Sequence, residues 1–123
     1  MSSSKSIVHA LTPSIDGAYA DMKEILNAGE KLAPCYFADN DLIAVGAMKA
    51  LKEYGYRIPE DIAIGFDNIP MSTIIEPALT TIHVPKQYMG KIAVQRLITL
   101  LTEKGTQPVK IEISTQLVER KSV

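Results

Sequence analysis

A chain of 123 residues with 46% apolar side chains is long enough for one domain with a buried core, and this composition excludes a disordered tail. Thirteen basic residues stand against 14 acidic ones, and a net charge of −1 excludes the basic face of a nucleic-acid surface within these residues. No apolar run approaches membrane-spanning length, and Met1-Ser2-Ser3-Ser4-Lys5-Ser6 lacks the apolar centre of a signal peptide. A flexible lead-in over residues 1–6, a cytoplasmic location and no membrane partner are therefore expected. Cys35 is the single cysteine, so no intrachain disulfide can form, and it reads as a buried strand residue in a reducing compartment.

Short apolar runs alternate with helical periodicity along the chain. Ile7 to Leu11 reads as a strand. Thr12-Pro13-Ser14 then opens a helix in which Ile15, Ala18, Tyr19, Met22, Ile25 and Leu26 recur at helical spacing, and Asn27-Ala28-Gly29 closes it. Pro34 to Ala38 is the next strand, and Asp39 or Asn40 caps a helix that runs to about Tyr54 and stops at Gly55. Pro59-Glu60-Asp61 leads into the strand Ile62 to Phe66. A short helical segment from about Met71 to Ile75 ends before Pro77. Thr80 to Val84 is a strand, Pro85 suits the first position of a helix reaching about Lys104, and Val109 to Val118 is a final strand. This order predicts an α/β fold: a mainly parallel sheet with helices on both faces and right-handed crossovers.

Two helices carry more apolar surface than one sheet face needs. In the helix from Leu42, the stripe Ile43, Ala44, Ala47, Ala50, Leu51 and Tyr54 suits the sheet, which leaves Leu42, Val45 and Met48 on the opposite side. In the helix after Pro85, Met89, Ile92, Ala93, Val94, Leu97, Ile98, Leu100 and Leu101 cover more than half the circumference. Such a helix is expected to fold back onto the sheet or to pack against another copy.

Ligands of parallel α/β sheets bind outside the carboxyl ends of the strands. Two strand ends here carry polar clusters, Asp39-Asn40-Asp41 and Gly65-Phe66-Asp67-Asn68. An amide at Asn40 and a carboxylate at Asp67 suit a polyhydroxyl ligand. At least one residue of the first cluster is also expected to cap the helix. No calcium-loop glycine or glutamate accompanies it, and His9 and His83 lie alone, so no metal is expected. There is no Gly-x-Ser-x-Gly, Walker or Gly-x-Gly-x-x-Gly pattern, so neither hydrolysis nor a nucleotide cofactor is supported. The chemistry expected is recognition, not turnover.

Five segments in order, Phe37-Ala38-Asp39-Asn40-Asp41-Leu42-Ile43-Ala44-Val45-Gly46-Ala47, Arg57-Ile58-Pro59-Glu60-Asp61-Ile62, Gly65-Phe66-Asp67-Asn68-Ile69-Pro70, Pro77-Ala78-Leu79-Thr80-Thr81-Ile82 and Leu117-Val118-Glu119-Arg120-Lys121-Ser122, carry a wider resemblance. Together they resemble the LacI/GalR family of bacterial transcriptional regulators, from about Ser14 to the C-terminus. The resemblance implies one lobe of a type I periplasmic-binding-protein-like (flavodoxin-like) domain. Residues 7–123 would be the C-terminal effector-binding and dimerisation part. Within it, 7–84 and 109–123 would form the second-lobe core, and 85–104 a helix like one of the first lobe. The implied function is sensing of a sugar or similar small polar effector as a homodimer, with operator DNA bound only through a helix-turn-helix absent from these residues. The alternative is a sugar-binding protein of the periplasmic type with no DNA-binding role. The resemblance assigns effector contact to Asn40 and Asp67, and cleft or orienting roles to Asp39, Asp41, Phe66, His83 and Val84. It puts Leu42, Val45, Met48, Met71, Ile74 and Ile75 at the dimer interface. Val84 departs from the family, which often has Gln there.

Overall fold

The structure, a computed structural model, describes residues 6–60 and 62–123, with the backbone alone at 62–64. All but Ser6 of the expected lead-in, and Asp61, lie outside the described residues. The elements run α1 (Ile15–Asn27), β1 (Cys35–Phe37), α2 (Asp41–Glu53), β2 (Ile62–Asp67), α3 (Met71–Ile74), β3 (Thr80–His83), α4 (Lys86–Thr102) and β4 (Gln116–Val118). The strands form one sheet in the order β1-β2-β3-β4. The first three are parallel, and β4 is antiparallel to β3.

Local chemistry sets the helix starts. Ser14 accepts the Gly17 N–H through Oγ at 3.1 Å, and Asn40 accepts the Ile43 N–H through Oδ1 at 2.9 Å. Each satisfies a backbone donor that the first helical turn leaves free. α1 and α2 pack closely, and Gly46 makes this possible: a Cβ there would collide with the Ile15 carbonyl and the Ala18 side chain. Met22, Ala50 and Leu51 form one buried cluster with Tyr19, Ile25 and Leu26 against it. Ala44, Val45, Met48 and Leu79 form a second, flanked by Ile15, Ala38, Ile58 and Ile75.

These clusters correct the expected helix faces. Val45 is 7% exposed and Met48 0%, so both belong to the core of this chain and not to a free face. Ile75 packs on the same cluster. The reason is that α2 is covered from two sides, by α1 and by the Leu79 region. Tyr54, expected on the sheet, is exposed. Cys35, expected buried, is exposed because β1 is an edge strand.

Ile7 to Leu11, expected as a strand, pairs with no strand among the described residues. Both segments line an open groove, and His9 Nε2 meets the Tyr36 hydroxyl at 3.2 Å across it. The Val109–Val118 segment is a strand only at its last three residues. Val109, Ile111 and Ile113 instead run beside α4 along a shallow groove with Ile92 and Leu97, and Arg96 donates to the Gln107 carbonyl at 2.5 Å. α4 does not fold back onto the sheet: it contains no buried residue, and Leu101 is 77% exposed.

Candidate functional site

The strand register defines the rim. Phe37 pairs with Ile64, so Asn40 and Asp67 each lie three residues beyond a matched pair, at neighbouring strand ends. Asp67 in turn pairs with His83 at the end of β3. The polar residues expected at the site are thus brought to one edge of the sheet.

Asn40 has two roles available to its amide. Its oxygen caps α2, while its Nδ2 has no hydrogen-bond partner among the described residues. Asp39 is exposed, also without a partner among the described residues. Asp67 is half-buried, with its carboxylate 3.6 Å from the Lys86 ammonium, which also donates to the Asp67 carbonyl at 2.6 Å. The backbone at this point is unusual: φ is 130° at Asp67 and 55° at Asn68. Left-handed conformations are disfavoured for side chains other than Gly, Asn and Asp, and they persist only where surrounding contacts hold them.

Those contacts are visible. Asp41 is fully buried and accepts two hydrogen bonds, from the Thr81 hydroxyl at 2.5 Å and from the Ile69 N–H at 2.9 Å. Thr81 Oγ1 also accepts the Asn68 N–H at 3.3 Å. Asp41 is thus bonded to β3 and to the turn after β2, beneath the rim. Gly65 is required beside it, because a Cβ there would overlap Asp41 Oδ1. Arg120, in the segment after β4, holds the other side of the turn. Its guanidinium donates to Asn68 Oδ1 at 2.6 Å, to Ser72 Oγ at 3.0 Å and to the Leu79 carbonyl at 2.7 Å. The Asn68 amide also meets His83 Nδ1 at 3.2 Å.

Phe66 and Val84 are half-buried near the same strand ends. The Val84 carbonyl accepts the Lys86 N–H at 2.8 Å. The sequence reading missed Lys86, Asn68 and Arg120. Asn68 and Arg120 both lie in segments that carry the family resemblance, but nothing in their spacing links them to each other; Lys86 carries no such signal, since only tertiary contacts bring it here. Of the residues assigned to a dimer interface, Leu42, Met71 and Ile74 are exposed.

A carboxylate, a free amide, an imidazole and an ammonium along one rim can bind a polyhydroxyl molecule. The Ser72 hydroxyl donates to the Ile69 carbonyl and accepts from Arg120, so it is not paired with a base. Among the described residues no group of three metal-ligating side chains exists, and no helix is long and apolar enough to cross a membrane.

Comparison with known proteins decides the family. A family model described as periplasmic binding protein-like domain matches residues 2–123. The chain belongs to this family. The transcriptional repressor PurR of Escherichia coli O1:K1 / APEC is 37% identical over 109 residues, covering 88% of this chain and 32% of PurR. The lac repressor dimer bound to operator and the anti-inducer ONPF superposes with a TM-score of 0.80 at 28% identity, covering 89% of this chain and 33% of that one. A LacI family regulator from Enterococcus faecium with bound ribose gives 0.78 at 30% identity, covering 91% of this chain and 41% of that one. The chain spans about a third of the length of the curated relatives it matches. Within the family, these 123 residues are effector-binding-domain sequence of the LacI/GalR type, and PurR and the lac repressor are transcriptional repressors.

Proposed function

We propose that this chain is the effector-sensing and dimerisation portion of a cytoplasmic LacI/GalR-type regulator that takes a sugar or a similar small polar molecule at the rim formed by Asn40, Asp67 and His83. The observation that carries the reading is the register that brings Asn40 and Asp67 to neighbouring strand ends in a chain of this family. Asp67 accepts hydroxyl protons, the free Nδ2 of Asn40 donates, and Val84 packs on an apolar face of the ligand. Binding is the whole chemistry, with no turnover and no cofactor. The response passes to operator DNA through a helix-turn-helix outside these residues, and the exposed Leu42, Met71 and Ile74 meet a second copy.

Thermal-shift titration of the intact regulator with D-ribose, lactose, cellobiose and a wider set of pentoses and hexoses tests the reading, because a ligand that binds the native state raises its apparent stability. A saturable rise with one sugar, lost in the Asp67→Ala variant, is expected. No rise with any sugar would overturn it.

A further inference from the structure

The hydrogen bonds around Asn68 can be followed donor by donor. An arginine guanidinium has only donors, so the Asn68 atom that meets Arg120 Nη2 at 2.6 Å must be the carbonyl oxygen. The Asn68 Nδ2 group, which has only N–H bonds to give, then faces His83 Nδ1 at 3.2 Å. For that contact to be a hydrogen bond, His83 Nδ1 must hold a lone pair. The imidazole is then neutral with its proton on Nε2. His83 Nε2 has no partner among the described residues, and no buried side-chain nitrogen or oxygen among them lacks one, so Nε2 faces solvent. His83 lies directly across from Asp67 in the β2–β3 register, so both residues belong to the same strand-end rim.

We infer that Arg120 is a positioning residue that acts through Asn68 to make His83 a hydrogen-bond donor at the effector rim. Asp67 and His83 then differ in polarity: the carboxylate accepts from a ligand hydroxyl, and the imidazole donates to a ligand oxygen that carries no proton, such as a ring, glycosidic or carbonyl oxygen. The rim selects for a ligand that offers both an acceptor oxygen and a hydroxyl, which narrows the ligand class. This assignment of ligand chemistry rests on the function proposed above; the protonation of His83 does not.

Arg120 is anchored firmly enough for this role. It donates to the buried Ser72 and to the Leu79 carbonyl, and its own backbone N–H donates to Thr80 Oγ1 at 2.8 Å. The single Ser72 hydroxyl proton goes to the Ile69 carbonyl at 2.6 Å, so Ser72 Oγ, 3.4 Å from Asn68 Oδ1, supplies no second full bond to that oxygen. The guanidinium has only donors to offer, so the amide has one satisfactory orientation against it.

Nitrogen NMR on the labelled 123-residue chain reads this directly, since His9 and His83 are the only histidines and a His83→Gln variant assigns them. At a pH where the ring is neutral, His83 is expected to show an unprotonated Nδ1, a protonated Nε2 and a through-hydrogen-bond coupling between Asn68 Nδ2 and His83 Nδ1. Arg120→Met should abolish that coupling, and Arg120→Lys, which keeps one donor, should retain part of it. Asn68→Asp keeps the volume but puts an acceptor opposite Nδ1, so the proton is expected to move to Nδ1. A proton on Nδ1 in the unsubstituted protein overturns the inference. So does a coupling that survives Arg120→Met, or an unchanged ring in Asn68→Asp. Titration with D-ribose separates the two claims: if it perturbs neither Asp67 nor His83 while the His83 proton sits on Nε2, the ligand class fails and the positioning role of Arg120 stands.

Discussion

The Thr81 hydroxyl donates to the Asp41 carboxylate at 2.5 Å inside the protein, across 40 positions of sequence. Both residues are fully buried, so this bond ties the start of α2 to the middle of β3 where water cannot compete. Asp41 also holds the Ile69 N–H, so one carboxylate fixes the turn in which Asp67 and Asn68 adopt left-handed backbone. Replacing Asp41 by Ala leaves Thr81 Oγ1 and the Ile69 N–H without their acceptor. Such a loss costs about 3 kcal/mol, the upper end for an unsatisfied buried donor. Urea denaturation is expected to show it, with Asp41→Asn destabilised less because one acceptor oxygen remains.

Gly65 is the counterpart of that arrangement. A methyl group at this position would meet Asp41 Oδ1 and lie 3.0 Å from Leu79 Cδ2. Gly65→Ala should destabilise by about 1–3 kcal/mol, the usual range for overpacking. The turn at Asp67 should loosen with it. Hydrogen exchange at Asn68 and Ile69 would report the loosening, and unchanged protection would mean that Asp41 yields without disturbing the turn.

At the rim, Asp67→Ala in the intact regulator is expected to weaken binding of the sugar found by thermal shift by about 1.5–3 kcal/mol, the scale of hydrogen bonds to a charged group. Calorimetry measures it. Unchanged affinity with an intact fold would make Asp67 a turn residue and nothing more.

The interface prediction divides the apolar positions of α2 and α3 into two kinds. Ile74 is 74% exposed and Leu42 lies at the surface, so Leu42→Asp with Ile74→Asp should leave the fold intact and convert a dimer into a monomer in sedimentation. Val45→Asp, by contrast, puts a charge into the cluster of Ala44, Met48 and Leu79 and should unfold the chain. A Val45→Asp protein that melts like the parent would refute this placement.

Near the start of α1, Asp21 accepts the Thr12 N–H at 2.7 Å, and this bond holds its carboxyl below the ordinary carboxylate range. A depressed folded-state value stabilises at pH values above the ordinary one and is lost as the pH falls through the lower, folded one. Protection of the Thr12 amide from exchange should therefore fall at the acid end, and Asp21→Asn should remove that pH dependence.

Short-range signals carried the α/β order, the three parallel strands and the helix starts, since the Ser14 and Asn40 caps bond backbone groups only three residues away. The candidate rim was legible for the same reason: Asn40 and Asp67 end apolar runs, and strand ends are where such sheets bind. Tertiary structure alone decided which side of α2 is buried. Its apolar pattern runs most of the way round, and only the docking of α1 on one side and the Leu79 region on the other puts Val45 and Met48 inside. That Ile7 to Leu11 finds no ladder partner among the described residues is equally invisible in a strand-like run. Arg120 lies 52 residues from Asn68, and no periodicity links positions so far apart. A bond of that kind exists only once the sheet has brought β3 and β4 together, because hydrogen-bond geometry depends on distance in space and local sequence patterns record only distance along the chain.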